Sequence, residues 1–388
     1  MARSSYQDKF DEEKNDGYHP KKDRYEKKPC CTKITLLLIV FLLVTLGGAA
    51  GTVYAIFGLE TIKSWFGLDN TSTINTGGGG GDGGGGGDGG GGNATAYQFM
   101  QCPVTGEGDC CNGLESNCAL KVNEIMYATV HNAHSDNNTE FSNNDAPLEG
   151  ALEVGYRGLM LDVCKCPNSV TQELEVIFCH GICTNSVRDP AEVFTNIDNF
   201  LTANPTEVVI INFELSVGGP IPAEIVDLMN DGMKSKTYDY VGGAWPTMKE
   251  MLDGGKQLLL FEHGGSSSYY CVGTQCAGSI NRFHDYAMET KYEFGSVDEI
   301  EDSANSCAGD RGTTGTRDFY AINNFVPGVT SLPSQSRAAI VNAKGFLISR
   351  IADCEAETSL KPNLVIVDFW QTGDLLEVTQ DVNKARGA

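Results

Sequence analysis

The sequence predicts an α/β protein built on a TIM-type (β/α) barrel, regular or irregular, that follows one transmembrane helix and a glycine-rich linker. Three observations predict it: Ile34–Leu59 carries no charge, Gly77–Gly92 is almost entirely glycine, and apolar strand candidates alternate with amphipathic stretches thereafter. The expected domains are a disordered cytosolic tail at 1–33, a signal anchor at 34–59, a flexible linker at 60–95 and the barrel at 96–388.

The uncharged segment Ile34–Leu59 has the length and flanking charges of a signal anchor. At 1.5 Å per residue it exceeds the ~30 Å hydrocarbon core of a bilayer. A long polar tail precedes it, which is unlike a secretory signal peptide, although cleavage near Gly47–Ala50 is an alternative. Lys27, Lys28 and Lys33 flank its amino-terminal side, so the positive-inside rule predicts a single-pass type II protein with the barrel outside the cell or in a lumen.

Cysteines and glycosylation sequons agree with an exported barrel. Of the 14 cysteines, all but two lie between Cys102 and Cys354, an even number, which favours disulfides in an oxidising compartment. The alternative is a zinc site in the one dense group of thiols: Cys102, Cys110, Cys111 and Cys118. The N-glycosylation sequons begin at Asn70, Asn93 and Asn137.

The charge balance excludes some partners. The chain has a formal net charge of −23, and most of the excess acid lies in the expected barrel. Such a surface repels phosphate backbones, so no nucleic acid is expected as a partner. No G-x-G-x-x-G or P-loop motif follows a strand candidate, so nucleotide binding gains no support.

The elements of the barrel can be assigned in order. Asp189–Ala203 is an expected helix, in which Asp189 is the N-cap and Pro190 the first helical residue. Ser334–Ala356 and Gly373–Lys384 are further expected helices. The strand candidates are EIMYATV (124–130), RGLMLDV (157–163), EVIFC (175–179), EVVIINFE (207–214), KQLLLFE (256–262), DFYAINNFV (318–326) and NLVIVDFW (363–370). A doubly wound sheet is the alternative architecture.

Polar side chains end several of these strands. His131 and His180 follow two of them, Arg157 and Asp162 lie on the strand between, and Glu214 ends the next. If the sheet closes as a parallel barrel, all five groups point into one mouth at the carboxyl edge. Two imidazoles and a cation bound by carboxylates suit general acid/base attack on a phosphodiester.

The segments TVHNAHS, GYRGLMLDV, FCHG and IINFE resemble the X-domain of phosphatidylinositol-specific phospholipase C and its PLC-like phosphodiesterase relatives. The similarity is good over Glu124–Ser216 and looser towards the carboxyl terminus. It implies that His131 is a general base or stabilises pentacoordinate phosphorus, and that His180 protonates the leaving lipid oxygen. It also implies that Arg157 is the family arginine and that Asp368 orients His131.

The resemblance further implies a Ca²⁺ site at Asn132, Asp162 and Glu214. Metal-dependent members carry two carboxylates on the second strand, and here Met160 stands in place of the first. Three oxygen side chains plus water could still hold Ca²⁺, with weaker affinity. Metal-independent bacterial members carry an arginine where Asp162 stands, so the metal-free route is less favoured.

The implied activity is cleavage of an inositol phospholipid or a GPI-type glycolipid to diacylglycerol and a cyclic inositol phosphate. The expected partner is thus a membrane phospholipid or glycolipid substrate. One alternative is an inactive barrel that acts as a surface binding protein, which Met160 favours. Another is a glycerophosphodiesterase or a sphingomyelinase D-like enzyme. His134 is expected on a rim loop, and His263 is a further candidate for the mouth.

Overall fold

The computed structural model describes residues 110–136, 141–215, 222–263, 269–272, 278–328 and 331–388. The expected tail, signal anchor and linker lie outside these residues, as do the three sequons at their asparagines. Within the described ranges, no helix combines the length and apolar character needed to cross a membrane.

One curled sheet of eight parallel strands, with three antiparallel strands added, forms the centre of the fold. The parallel strands are β1 (Tyr127–Val130), β2 (Gly158–Pro167), β4 (Val209–Leu215), β5 (Leu258–His263), β7 (Gly278–Arg282), β8 (Ala287–Thr290), β10 (Phe319–Asn323) and β11 (Leu364–Val367). The antiparallel strands are β3 (Leu174–Phe178), β6 (Tyr269–Val272) and β9 (Gly309–Arg311).

The order of the parallel strands is that of an incompletely closed barrel. The hydrogen-bonded path runs β7-β5-β4-β2-β1-β11-β10-β8, in which β11, the last parallel strand along the chain, pairs with β1, the first. No pairing joins β7 to β8 in the described part of the chain. The α/β class is therefore confirmed, the sheet is curled as a half-barrel, and the doubly wound alternative does not fit this order.

Helices cover the outside of the sheet. They are α1 (Leu148–Val154), α2 (Pro190–Ala203), α3 (Pro222–Leu228), α4 (Asp231–Lys236), α5 (Met248–Asp253), α6 (Phe283–Tyr286), α7 (Val297–Glu301), α8 (Ser303–Ser306), α9 (Gln335–Val341), α10 (Lys344–Thr358) and α11 (Leu375–Arg386), with a 3₁₀ turn at Glu115–Ala119. The expected cap of α2 is confirmed, since the Asp189 side chain accepts a hydrogen bond from the Ala191 amide.

The expected single helix over Ser334–Ala356 is wrong, because it is two helices separated at Asn342 and Ala343. The Asn342 amide group donates to the Asp368 carbonyl at 2.9 Å and to the Thr372 carbonyl at 3.2 Å. These bonds fix Asn342 to the loop after β11, so the helix stops there.

Strand β3 is not a barrel strand. It runs antiparallel to β2, with Val163 opposite Phe178 and Pro167 opposite Leu174. The expectation that His180 ends a parallel strand is therefore wrong. Instead β2 extends beyond the barrel edge, and β3 returns the chain towards the mouth. Two disulfides, Cys164–Cys179 and Cys166–Cys183, cross-link this hairpin.

The disulfide expectation is confirmed for nine cysteines of the described ranges. Cys111 pairs with Cys118 and Cys307 pairs with Cys354, in addition to the two bridges of the hairpin. Cys110 is also disulfide-bonded. The alternative zinc site is therefore wrong, because three of its four thiols are oxidised.

An apolar layer fills the barrel below its mouth. Tyr127, Met160, Phe261, Phe319 and Ile366 belong to one buried cluster. Since side chains alternate along a strand, Met160 faces the same way as Asp162, two residues further along β2. The prediction that Met160 is a core residue is confirmed, and its thioether lies where a second carboxylate would otherwise stand.

Candidate active site

His131 follows β1 and is held on several sides. Its Nδ1 lies 2.7 Å from Asp368 Oδ1, and its Nε2 lies 3.1 Å from the Tyr292 hydroxyl. The ring stacks on Phe325, with centroids 4.0 Å apart and planes at 6°. An acceptor at Nδ1 favours the tautomer with its proton there, which leaves the Nε2 lone pair facing Tyr292.

The backbone is strained beside both members of this pair. Asn132 and Phe369, which directly follow His131 and Asp368, have φ values of 42° and 51°. Such values cost energy for residues other than glycine, and they are concentrated at functional sites. This conformation turns the chain sharply after β1 and β11, where the two side chains meet.

Asn143 joins the site, and the sequence reasoning missed it. Its amide nitrogen donates to Asp368 Oδ1 at 2.9 Å, while its amide oxygen accepts from Asn132 Nδ2 at 3.3 Å. Asn143 therefore orients both the carboxylate behind His131 and the neighbouring Asn132. Only the run of polar residues around it hints at this position in the sequence.

His180 is brought to the same pocket by the disulfide-linked hairpin. A pocket of ≈ 130 Å³ is lined by His131, His180, Tyr292, Phe325 and Asp368, among others. His180 is partly exposed, and its Nδ1 lies 3.1 Å from the Phe141 carbonyl. If Nδ1 carries a proton it donates to this carbonyl, and Nε2 is then left for another partner.

The two histidines have pKa values displaced in opposite directions. Burial lowers the pKa of His131, but the neighbouring Asp368 and the charges of Asp162 and Glu214 outweigh it and raise the pKa above its usual value. Burial and the nearby His131 lower the pKa of His180. Opposite displacements separate a stronger base from a stronger acid at one site.

Three buried oxygens beside this pocket have no hydrogen-bond partner among the described residues. They are Asn132 Oδ1, Asp162 Oδ1 and Glu214 Oε2. Asp162 and Glu214 are register partners on the adjacent strands β2 and β4. Burial and the charge of Glu214 raise the pKa of Asp162, and burial raises that of Glu214. Unpartnered, mutually repelling carboxylates are the donor set expected of a hard-cation site.

Arg157 is not brought to this group. It precedes β2 at the amino end of the barrel, about five residues and hence ~16 Å along the strand from Asp162. Its Nε donates to Glu207 at 2.7 Å, and its Nη1 donates to the carbonyls of Leu152 and Tyr156. This position supports a structural ion pair, not the expected catalytic role.

Two further histidines differ from each other in their relation to the mouth. His134, expected on a rim loop, is instead fully buried, beside the backbone of Cys179. Burial lowers its pKa to about 3. His263 ends β5 and is the register partner of Glu214 on β4, so both side chains lie on the same face of the sheet.

Tyr292, whose hydroxyl lies beside His131, is not among the residues predicted from the sequence. The strand that leads to it, β8, is short and has no clear apolar pattern.

The chain is similar in sequence to proteins of one family. The family model described as PI-PLC X 1 matches residues 117–383. A PI-PLC X domain-containing protein 1 of Arthroderma benhamiae is 25% identical over an alignment of 290 residues, and the match covers 70% of this chain and 89% of that protein. A PI-PLC X domain-containing protein of Arabidopsis thaliana is 28% identical over an alignment of 178 residues, and the match covers 41% of this chain and 40% of that protein.

Solved structures with a similar course of the chain include two bacterial proteins. The phosphatidylinositol-specific phospholipase C of Listeria monocytogenes has a TM-score of 0.46 and 15% identity, and the match covers 74% of this chain and 98% of that one. A mutant of the Staphylococcus aureus phosphatidylinositol-specific phospholipase C has a TM-score of 0.46 and 16% identity, with 68% and 94% covered.

Proposed function

Because the chain belongs to the PI-PLC X domain family, we propose that it is a phospholipase C-like phosphodiesterase that cleaves an inositol phospholipid or a GPI-type glycolipid. The observation that carries the proposal is the pair of histidines in one pocket, one of them backed by a buried aspartate. The products are diacylglycerol, or the corresponding lipid, and a cyclic inositol phosphate.

His131 acts as the general base. Its Nε2 takes the proton of the inositol hydroxyl next to the phosphate, and that oxygen then attacks phosphorus. Asp368 accepts a hydrogen bond from Nδ1–H and stabilises the imidazolium that forms, which agrees with the raised pKa of His131. Asn143 and the stacked Phe325 hold this pair in position.

His180 acts as the general acid. When protonated, it donates its proton to the lipid oxygen as the bond from phosphorus to that oxygen breaks. The lowered pKa of His180 makes its protonated form a stronger acid, which supports this role. Its partial exposure on the hairpin leaves room for the lipid leaving group on the outer side of the pocket.

A calcium ion is proposed at Asn132, Asp162 and Glu214. Their unpartnered, buried oxygens support this assignment, since Ca²⁺ takes oxygen ligands and tolerates water among them. When bound, the ion would offset the charge of the phosphate and acidify the attacking hydroxyl. Met160 removes one carboxylate, so the affinity is expected to be lower than at a site with three.

The proposed location is a single-pass type II membrane protein with the barrel outside the cell or in a lumen. The disulfides of the barrel support an oxidising compartment. A barrel tethered by Ile34–Leu59 on this side of a membrane would reach glycolipid anchors, which makes GPI-type substrates the first to test after phosphatidylinositol. The excess of acidic residues disfavours more highly phosphorylated inositides.

The test uses the full-length protein in mixed micelles with phosphatidylinositol, followed by ³¹P NMR for the cyclic phosphate, with Ca²⁺ and with chelator. We expect product in Ca²⁺ and a loss of at least ~10²-fold in His131→Ala and in His180→Ala. Asp253→Asn, on the exposed surface of α5, is the matched control and keeps the wild-type rate.

Other outcomes separate the alternatives. Product formed equally well in chelator would overturn the calcium assignment and leave the two-histidine mechanism. A folded protein that turns over neither phosphatidylinositol nor a GPI-type glycolipid, and no glycerophosphodiester or sphingomyelin, would instead indicate a surface binding protein.

A further inference from the structure

A second group of metal-ligating side chains lies across the barrel opening from His131. His263 ends β5, His284 lies in the one-turn helix α6, and Glu289 lies in β8. One ligand atom from each residue lies within 4.8 Å of the others. Helix α6 links β7 to β8 where those strands do not pair, and this irregular connection directs His284 towards the other two residues.

His263 is oriented like a metal-ligating histidine. It is 3% exposed, and its ring stacks on Phe283 with centroids 4.6 Å apart. Its Nε2 lies 2.6 Å from Asn212 Nδ2, while Asn212 Oδ1 and His263 Nδ1 have no hydrogen-bond partner among the described residues. With the Asn212 amide turned by 180°, Nε2–H donates to that oxygen and the lone pair of Nδ1 is left for a metal, which is the arrangement that fixes a histidine for coordination.

Glu289 is likewise oriented from behind. Its Oε1 accepts hydrogen bonds from Arg311 at 2.8 Å and from Asn323 at 2.9 Å. Its Oε2 faces His284, with Nε2 at 3.0 Å. The carboxylate is fully buried, so Arg311 and Asn323 hold one oxygen and direct the other towards the histidines.

We propose that His263, His284 and Glu289 form a binding site for a divalent transition metal of the zinc class. Such an ion lies about 2.1 Å from nitrogen and oxygen donors, so two donors at the tetrahedral angle are ~3.4 Å apart. The His284–Glu289 separation of 3.0 Å is close to this value. The third ligand atom lies within 4.8 Å of the other two, so it needs a side-chain movement of at most ~1.4 Å.

Ligand chemistry distinguishes this site from the proposed calcium site. Imidazoles select zinc, cobalt or nickel, whereas carboxylate and amide oxygens select calcium. The two groups share no ligand, although Glu214 and His263 are register partners on adjacent strands. The inference therefore does not depend on the proposed function and would hold for an inactive barrel.

The test is metal binding to the full-length protein in the Cys30→Ser, Cys31→Ser background, which removes the two cysteines of the amino-terminal tail. After chelation, Co²⁺ is titrated in excess Ca²⁺ and its visible absorption is followed, and Zn²⁺ is then added in competition. We expect one Co²⁺ per chain, displaced by Zn²⁺. Binding should weaken at least ~10-fold in His284→Asn and in Glu289→Gln, but not in the control His180→Asn.

Zinc-edge X-ray absorption of the protein loaded with one equivalent adds a measurement that needs no site variant, and two imidazoles with no sulfur are expected. Equal Co²⁺ affinity in His284→Asn and in its parent would overturn the proposal and leave a hydrogen-bond network. Loss of binding in His180→Asn alone would also overturn it, because the metal would then lie at the pocket of His131.

Discussion

Strand β2 pairs with β4 from Gly158 to Val163, and the two ends of this paired part hold buried charges in different ways. At the amino end, Arg157 donates to Glu207 and to two carbonyls. At the carboxyl end, Asp162 lies beside Glu214, and each has a buried oxygen with no hydrogen-bond partner among the described residues. Both ends are buried, so the difference lies in pairing and not in exposure.

This contrast separates residues that serve the fold from residues that serve a ligand. In a buried ion pair each charge already has its partner, so the pair has no group left to bind a ligand. Two adjacent carboxylates that each leave one buried oxygen without a partner repel each other, and they destabilise the protein when no ligand is bound. Strain of this kind persists where something else binds. Arg157, which the family resemblance implied to be catalytic, therefore belongs to the first kind, and Asp162 to the second.

The largest effect on stability is expected at the amino end, from substitution of Arg157. Arg157→Leu leaves the Glu207 carboxylate buried without its partner, and we expect the free energy of unfolding to fall by about 3–5 kcal/mol. The catalytic rate per folded molecule should stay at the wild-type value. Urea unfolding followed by circular dichroism, together with the phosphodiesterase assay below the unfolding transition, measures both.

The double variant Arg157→Leu, Glu207→Leu is the control for this prediction. Removal of both charges should recover part of the lost stability, because no uncompensated ion remains. A rate loss in Arg157→Leu that exceeds its loss of folded protein would instead return Arg157 to the active site and break the contrast between the two ends.

At the carboxyl end, substitution of Asp162 is expected to change the stability by a smaller amount and to raise it. Asp162→Asn removes the repulsion with Glu214, so we expect about 1 kcal/mol of added stability in chelator. Ca²⁺ should then stabilise the wild type but not the variant, which thermal unfolding with and without Ca²⁺ measures. Destabilisation by Asp162→Asn in chelator would mean that the carboxylate has a structural partner.

The barrel could be predicted from sequence where its strands are apolar and long. VVIINFE and NLVIVDFW were recognised, whereas GSINR (β7) and AMET (β8) are short and mixed in polarity and were not. EVIFC was recognised as a strand, but its direction depends on the hairpin with β2, which no local pattern shows. The direction of β3 is therefore set by its pairing with β2 and not by its own sequence.

The candidate site divides in the same way. His131, Asn132, Asp162, His180, Glu214 and Asp368 each end or follow a recognised strand, so a barrel brings them to one edge. Tyr292 and Asn143 lie on segments whose placement depends on β8 and on the loop after β1, and neither was found. Arg157 was misplaced because it lies on the right strand but at the wrong end.

The smallest effect is expected where charges are paired but half-exposed. Arg188, beyond His180 in the chain, donates to Glu149 of α1 at 2.9 Å and to Asp136 at 3.1 Å. Burial raises the pKa of Glu149, but its hydrogen bonds from Arg188 and Asn196 outweigh this and lower it below the usual value. Burial raises the pKa of Asp136, despite Arg188.

These two carboxyls respond to acid with opposite signs. For Glu149, the unfolded chain takes up a proton first as the pH falls through ~4.5, so its stabilising contribution begins to be lost there and is gone once the pH has fallen through the lower pKa of the folded protein. For Asp136, the folded chain takes up the proton first, which partly compensates. Glu149→Gln should therefore cost less than ~1 kcal/mol at pH 7 and still less at pH 4, as urea midpoints at both pH values would measure.

Glu173→Gln, an exposed carboxylate on the same hairpin, is the control, and its midpoint should match the wild type at pH 7. An equal loss for Glu149→Gln at both pH values would mean that Glu149 acts through packing and not through its charge. The ion pair between Arg188 and Glu149 would then add nothing measurable to stability. The hairpin that carries His180 would be held by its two disulfides and by the pairing of β3 with β2.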